Sequence, residues 1–441
     1  MEERNLKKEI SLFMATMLVC GNMIGSGVFM LPATLAQLSG PLATIIAWVL
    51  TTAGSILIAM SFANLGSKYP TTGGAYQYTK KAFGEFTGFL SAWLYWNGSW
   101  IGNAAIIVAL SSYSAAVIPA LRDPLASIIY TSAILWIFTI INIIGVKKAG
   151  KLQTVATVFK IAFFAIFIIV AFINFDPSNI LPLIPEGKGV GTVSLAATST
   201  LWAFVGLESA TVTAGEIKNP EKNVKKSTIY GMIIAAIVYI LISVASMGAM
   251  SNAELSNSQA PLTDILTKFL GTSIGKPITI AVVVCILGTT IGWLLSTARV
   301  AFAAGEDGVF PKFFGKLHPK YETPANALIM GSVLVNILLI MNFQKSMVSA
   351  FTFITILATL SFLPIYLLTS AAEIMLMFKG EKEFTFKIFI KRAIVPLLAF
   401  IYSIWTIYGS GAETVMWGFI LMLIGIPFYI YNYHKNKIEE A

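Results

Sequence analysis

Gly21-Asn22-Met23-Ile24-Gly25-Ser26-Gly27-Val28 interrupts an otherwise apolar run at 11–37. Two glycines flanking a serine weaken a helix, because glycine gives up the most backbone freedom there. Backbone opened at bilayer depth must be satisfied by a cavity, by water or by a ligand. N–H groups at the start of a half-helix favour an anion such as a carboxylate. The alternative reading is close helix packing through small residues. A second break, Trp202-Ala203-Phe204-Val205-Gly206-Leu207-Glu208-Ser209-Ala210, lies in the apolar run at 193–215. It comes five spans after the first, and an odd number of spans per repeat turns one repeat upside down relative to the other. Broken helices at matching positions of two inverted repeats mark the binding site of a transporter.

The rest of the chain supports a membrane setting. Hydrophobic residues make up 56% and charged residues 12%, about half the charge of a soluble domain. Further apolar runs at 41–66, 84–118, 125–146, 150–175, 227–251, 274–304, 325–342, 347–377, 391–410 and 414–433 bring the count to twelve spans. The fold class expected is therefore an all-α membrane protein of twelve transmembrane helices. Its first inverted repeat covers 11–175, its second covers 193–377, and two helices at 391–433 are appended. The basic N-terminal stretch reads as leading into a retained first helix and not a cleaved signal. Loops on the side of the termini hold 23 Lys and Arg, including Lys80, Lys147, Lys222 and Lys435, against five on the other side. The positive-inside rule then puts both termini in the cytoplasm of a multi-pass inner-membrane protein. The same placement in short loops explains the net charge of +9 without nucleic acid. Cys20, Cys285, His318 and His434 form neither a disulfide framework nor a metal cluster.

Ionisable and aromatic residues inside the spans carry the chemistry. Glu208 is the only acidic residue near the middle of a span, where a lone carboxylate is costly. It reads as a proton carrier, as the partner of a substrate cation, or as a structural hydrogen-bond acceptor. Lys160 is the only lysine deep in a span, about two and a half turns past the cytoplasmic end. Its ammonium either occupies a site where other transporters bind sodium or snorkels to the interface. Trp202 and Trp293 lie away from span ends and read as gates or as packing. Tyr95 and Asn103 form a polar pair on one face of the third span, and Tyr76 reads locally as an ordinary loop tyrosine.

Several stretches resemble the amino acid–polyamine–organocation superfamily, and within it the arginine/agmatine and putrescine/ornithine antiporters. They are GNMIGSGVFMLPATLA at 21–36, GGAYQYTKKAFG at 73–84, LYWNGSWIGNAA at 94–105, LWAFVGLESA at 201–210, EIKNPEKNV at 216–224, LGTTIGW at 287–293 and EDGVFPKFF at 306–314. The resemblance implies alternating access, with Asn22, Met23, Gly25, Ser26 and Gly27 holding the substrate's carboxylate and amino group. It implies contacts from Asn103, Ile106, Val205 and Glu208 and gating by Tyr95, Trp202, Glu208 and Trp293. It also implies ion or proton coupling through Lys160, Glu208 and Tyr76. Ile106 replaces a methionine of the arginine/agmatine antiporters. Lys160 departs from their pattern and is similar to the fifth-span lysine of sodium-independent neutral carriers. In span ten, Thr355 and Thr359 are candidates for the pocket.

The expected function is sodium-independent exchange of a cationic amino acid with a related amine or amino acid; the alternative is a proton-coupled or exchange carrier of neutral amino acids. No catalytic residue, cofactor or metal is expected, and neither an enzyme nor a channel fits. The expected partners are a small amino acid or amine, the lipid bilayer and, as an option, a second copy of the chain.

Overall fold

The computed structural model describes residues 6–258, 260–342, 347–379 and 385–440, with the side chains at 342, 347–357, 359, 360, 414, 436, 439 and 440 outside that description. The helices in order are α1 (Leu12–Met23), α2 (Leu31–Leu38), α3 (Pro41–Lys68), α4 (Ala75–Phe83), α5 (Glu85–Val117), α6 (Pro124–Ile144), α7 (Val146–Ile173), α8 (Val193–Trp202), α9 (Ser209–Val212), α10 (Pro220–Ala249), α11 (Asn252–Asn257), α12 (Pro261–Leu270), α13 (Gly275–Glu306), α14 (Ala325–Asn342), α15 (Met347–Phe378), α16 (Phe386–Gly409) and α17 (Ala412–Glu440). Among the described residues nine of these contain segments long and apolar enough to cross a membrane. The remaining three spans are the shorter α14 and the two broken ones, α1/α2 and α8/α9. The protein is thus an all-helical, multi-pass membrane protein with the twelve spans expected.

Local sequence explains where the helices begin and break. Ser11 caps α1 by accepting from the Met14 N–H at 3.2 Å, which satisfies one orphan donor of the first turn. After Met23 the chain leaves the helix, with Ile24 at φ −76°, ψ 74°. One 3₁₀ turn at Gly27–Phe29 follows, and α2 resumes with Pro32 in its first turn, where proline's missing N–H costs nothing. In the other broken span α8 stops at Trp202, and Gly206 sits at φ +112°. A Cβ at Gly206 would lie 3.0 Å from Asn22 C and Met23 N. Glycine there meets both demands: the positive φ and the contact of one broken helix with the other.

α5 is 33 residues long, about 50 Å, and packs along α13 and α15 as the scaffold beside the breaks. On the other side α10 packs against α1 and α3. Tyr239 of α10 stacks on Trp48 of α3 and donates to Ala203 O at 2.7 Å, holding the end of α8. Ahead of α1, Ile10 forms an isolated parallel bridge with Ile217: Ile10 N–H donates to Glu216 O and Lys218 N–H to Ile10 O, each at 2.9 Å.

Three short helices lie between the spans: α4, α11 and α12. The first corrects the reading of Tyr76 as a loop residue. It lies on α4, between Gly74 and Gly84, and is only 1% exposed. Its alternating polar and apolar residues follow a helical stripe too short to stand out beside the long spans.

Candidate functional site

The end of α1 leaves carbonyls with no helical partner. Lys160, from the middle of α7, supplies them: its Nζ donates to Ile24 O (2.5 Å), Gly21 O (3.2 Å) and Thr289 Oγ1 of α13 (2.6 Å). The side chain is 0% exposed, so it turns inward between α1, α7 and α13 and does not snorkel. A cation at the C-terminal end of a half-helix also meets the negative end of its dipole.

The Asn22 side chain ties the break to three neighbours. Its Nδ2 donates to Ser209 Oγ (2.9 Å) and Ser296 Oγ (3.2 Å), and its Oδ1 accepts from Gln153 Nε2 (3.5 Å). Its backbone carbonyl accepts from Trp293 Nε1 at 3.1 Å. The Asn22 amide is therefore engaged within the protein and braces the turn. Both readings of the small residues hold, at different positions. Gly21 serves packing, since a Cβ there would lie 2.2 Å from Thr157 Oγ1, whereas Gly25 and Gly27 border a cavity.

That cavity lies between the two breaks. Met23, Gly25, Ser26 and Gly27 form one wall, Trp202, Ala203 and Val205 the second, and Gly98, Ser99, Gly102 and Ile106 of α5 the third. Trp293 and Phe362 complete it. Only about 30 Å³ is open to a water-sized sphere, room for about two waters. The walls must separate to admit an amino acid. Trp202 lies on the turn, with a Cβ at Gly27 reaching to 3.1 Å from its Cδ1.

A second layer lies behind the aromatic pair. Trp293 meets Phe362 edge-on at 5.6 Å, and Phe362 meets Tyr95 at 5.4 Å and Tyr366 at 6.4 Å. Tyr366 donates to Glu208 Oε2 at 3.0 Å, as does the Gly206 N–H at 3.2 Å. Glu208 is fully buried and its Oε1 accepts no hydrogen bond. Tyr95 faces the same carboxylate, but its hydroxyl makes no well-formed hydrogen bond. Trp293 and Phe362 line the cavity and Glu208 does not, so the carboxylate lies behind them.

A profile of the amino acid permease family matches residues 10–432. The chain belongs to the amino acid permease family. Over 98% of its length the permease is 32% identical to a putative arginine/ornithine antiporter of Bacillus subtilis, 98% of which is covered. An arginine/ornithine antiporter of Pseudomonas aeruginosa is 29% identical, over 97% of this chain and 92% of its own. A putrescine transporter of Haemophilus influenzae is 29% identical, over 98% of this chain and 99% of its own. The permease is a transporter and not an enzyme.

The structure brings Asn22, Met23, Gly25, Ser26, Gly27, Ile106, Trp202, Val205 and Trp293 to the cavity of the permease. Asn103 is fully buried on α5 and donates to Thr297 Oγ1 at 3.4 Å, away from the cavity wall. Tyr95 and Glu208 form the layer behind the wall. Tyr76 is remote from both and donates to Asp307 Oδ2 at 2.6 Å, beside the Lys80–Asp307 ion pair at 2.9 Å. Burial, and then that hydrogen bond, hold its phenol well above the ordinary tyrosine range. Thr355 and Thr359 lie outside the described side chains. Phe362, Ser99, Gln153 and Thr289 were missed. For the first two, the signal available was their position in an apolar span facing the break, which many span residues share.

Arg299, near the C-terminal end of α13, is held by an ion pair. Its Nε and Nη2 donate to the Glu216 carboxylate at 2.8 and 2.7 Å, and both side chains are 1% exposed or less. This bidentate pair joins α13 to the segment after α9.

Proposed function

We propose that the permease exchanges a cationic amino acid for a related amine or amino acid, without sodium, by alternating access. The observation that carries this reading is the Glu208 carboxylate, fully buried behind Trp293 and Phe362 with one oxygen accepting nothing. A buried carboxylate is stabilised when a cation comes beside it. The substrate's carboxylate and amino group would lie on the Gly25–Gly27 turn. Rotation of Trp293 and Phe362 would then let a cationic side chain reach Glu208. Lys160, already occupying the end of α1, would make a bound sodium ion unnecessary. The two broken spans support inverted repeats over 11–175 and 193–377, with 391–433 appended. The lysine distribution supports cytoplasmic termini in the plasma membrane.

A neutral amino acid carrier is the second reading. It is favoured by the apolar wall at Ile106, Val205 and Phe362 and by the exclusion of Glu208 from the cavity as it stands. Glu208→Gln separates the two. It keeps shape and most hydrogen bonding but removes the charge. For arginine, ornithine or putrescine it should cost about 1–3 kcal/mol, roughly tenfold to a hundredfold in affinity. Alanine binding should stay within about twofold, less than a neutral hydrogen bond is worth. Exchange in proteoliposomes with each labelled substrate measures this. Undiminished arginine and putrescine exchange in the glutamine variant would replace the first reading with the second.

A further inference from the structure

The face of α7 that carries Lys160 carries a second buried polar group. Gln153 lies about two turns nearer the start of the helix, and it is 1% exposed. Its Nε2 reaches Asn22 Oδ1 at 3.5 Å, and its Oε1 has no partner among the described residues. Two glycines make room for it. A Cβ at Gly21 of α1 would lie 2.5 Å from Gln153 Nε2. A Cβ at Gly292 of α13 would lie 2.7 Å from the same atom and 2.0 Å from Asn22 Oδ1. A side chain at either position would force the carboxamide to shift.

Stability does not account for this arrangement. A buried carboxamide with an unpaired oxygen costs free energy that an apolar side chain of similar shape would not. What Gln153 does is decide which way the Asn22 amide faces. Ser209 donates its one hydroxyl proton to Gly206 O at 2.7 Å, so the atom that Asn22 turns toward it must be a donor. That atom is Nδ2, which also donates to Ser296 Oγ. Oδ1 is left facing α7, where the Gln153 Nε2–H reaches it. A line of hydrogen bonds then runs from α7 through Asn22 to Ser209 and on to Gly206, from the scaffold across the first break into the second. Trp293 is anchored on the same residue, through the Asn22 carbonyl.

We propose that Gln153 is a positioning residue for the substrate: it fixes the Asn22 carboxamide and so presets the Gly25–Gly27 turn before the substrate arrives. This rests on the proposed placement of the substrate's carboxylate and amino group on that turn, and not on the charge of the substrate side chain. A turn that is already ordered takes nothing from the binding of the substrate. Its loss therefore appears as weaker binding of every amino acid the permease carries.

The test is exchange kinetics in proteoliposomes with Gln153→Met, which keeps the length of the side chain and removes the donor. Arginine and alanine share the α-amino and carboxylate groups, and whichever of them the permease carries should show the same change. The apparent KM should rise about fivefold, the value of one neutral hydrogen bond, with the maximal rate changed by less than about twofold. Thermal unfolding in detergent should be unchanged. Gly292→Ala brings a methyl group into the same gap from α13, so it carries the test independently of how the methionine variant folds. It should raise KM to a similar degree, and the double variant should be no worse than either single one. An unchanged KM in both variants overturns the proposal. So does a rise confined to arginine, which would place the effect on the substrate side chain, and so do additive rises in the double variant. Lower thermal stability with KM unchanged makes Gln153 a packing residue. Exchange of alanine but not arginine by the unaltered protein overturns the cationic reading of function and leaves this proposal to be decided by the alanine KM.

Discussion

Replacing Lys160 by methionine removes the charge at the first break while keeping most of the volume. In the native protein the three donors of the ammonium are spent on Gly21 O, Ile24 O and Thr289 Oγ1. Thr289 Oγ1 lies 3.3 Å from both carbonyls but has one hydrogen, so in the variant it can serve only one of them. The other is orphaned in a dry interior, at about 1–3 kcal/mol. Against this, the variant no longer has to desolvate an ammonium, a penalty of several kcal/mol. The two terms nearly offset, so global stability should change by no more than about 2 kcal/mol. Transport should respond differently, because the end of α1 forms one wall of the cavity. A loosened α1 end should lower exchange by about tenfold to a hundredfold, the equivalent of one to two such hydrogen bonds. Thermal unfolding in detergent and counterflow in sodium-free proteoliposomes measure the two quantities on the same preparation. Full exchange by Lys160→Met would show that the lysine merely fills space. A strict sodium requirement in the unaltered protein would end the idea that its ammonium stands in for a bound ion.

Three other perturbations follow from the geometry. Glu216→Gln leaves Arg299 buried with half its compensation and should destabilise the fold by about 3–5 kcal/mol, whereas the double change Arg299→Met with Glu216→Met should cost much less; a double-mutant cycle on thermal unfolding reads the difference, and additive losses would refute the pairing. Gly206→Ala places a methyl group 3.0 Å from the α1 backbone at φ +112°, so it should cost at least about 1–3 kcal/mol and abolish exchange; normal transport would mean that the two breaks need not touch. The Tyr76 phenol is raised by burial and by Asp307, so its stabilising contribution is complete below the ordinary tyrosine value of about 10 and is lost only as pH rises through its raised folded value; Tyr76→Phe should therefore leave the pH profile of exchange between about 5 and 9 unshifted, and a displaced midpoint in that window would show that the phenol titrates during transport.

The architecture was legible because its signals are local and strong. Span length and the glycine breaks each follow from the cost of polar groups in hydrocarbon. Lys160 was legible only as a choice between an inward ammonium and a snorkelling one; the fold decides it, by bringing Gly21 O, Ile24 O and Thr289 Oγ1 to its Nζ. What the sequence conceals is how polar side chains are shared. Asn22 sits in the motif at the break, yet its amide is committed to Ser209, Ser296 and Gln153, residues from three other elements that no spacing rule joins. Glu208 was identifiable as buried but not as lying behind Trp293 and Phe362. That separation depends on how α15 packs against α5, two helices far apart in the sequence. Arg299 and Glu216 are 83 positions apart. Each looks like an interfacial charge until the fold closes them on each other.

The bridge between Ile10 and Ile217 makes the segment ahead of α1 a mechanical coupling. Its two backbone hydrogen bonds are worth about 1–3 kcal/mol together, which couples an outward swing of α1 to the segment after α9. A bulky fusion placed just ahead of Ile10 therefore loads the moving parts of the transporter directly. The same fusion after α17 hangs from a helix that packs mainly on α15 and α5. Reporters of conformational change belong at the first position, and handles for purification or tethering at the second.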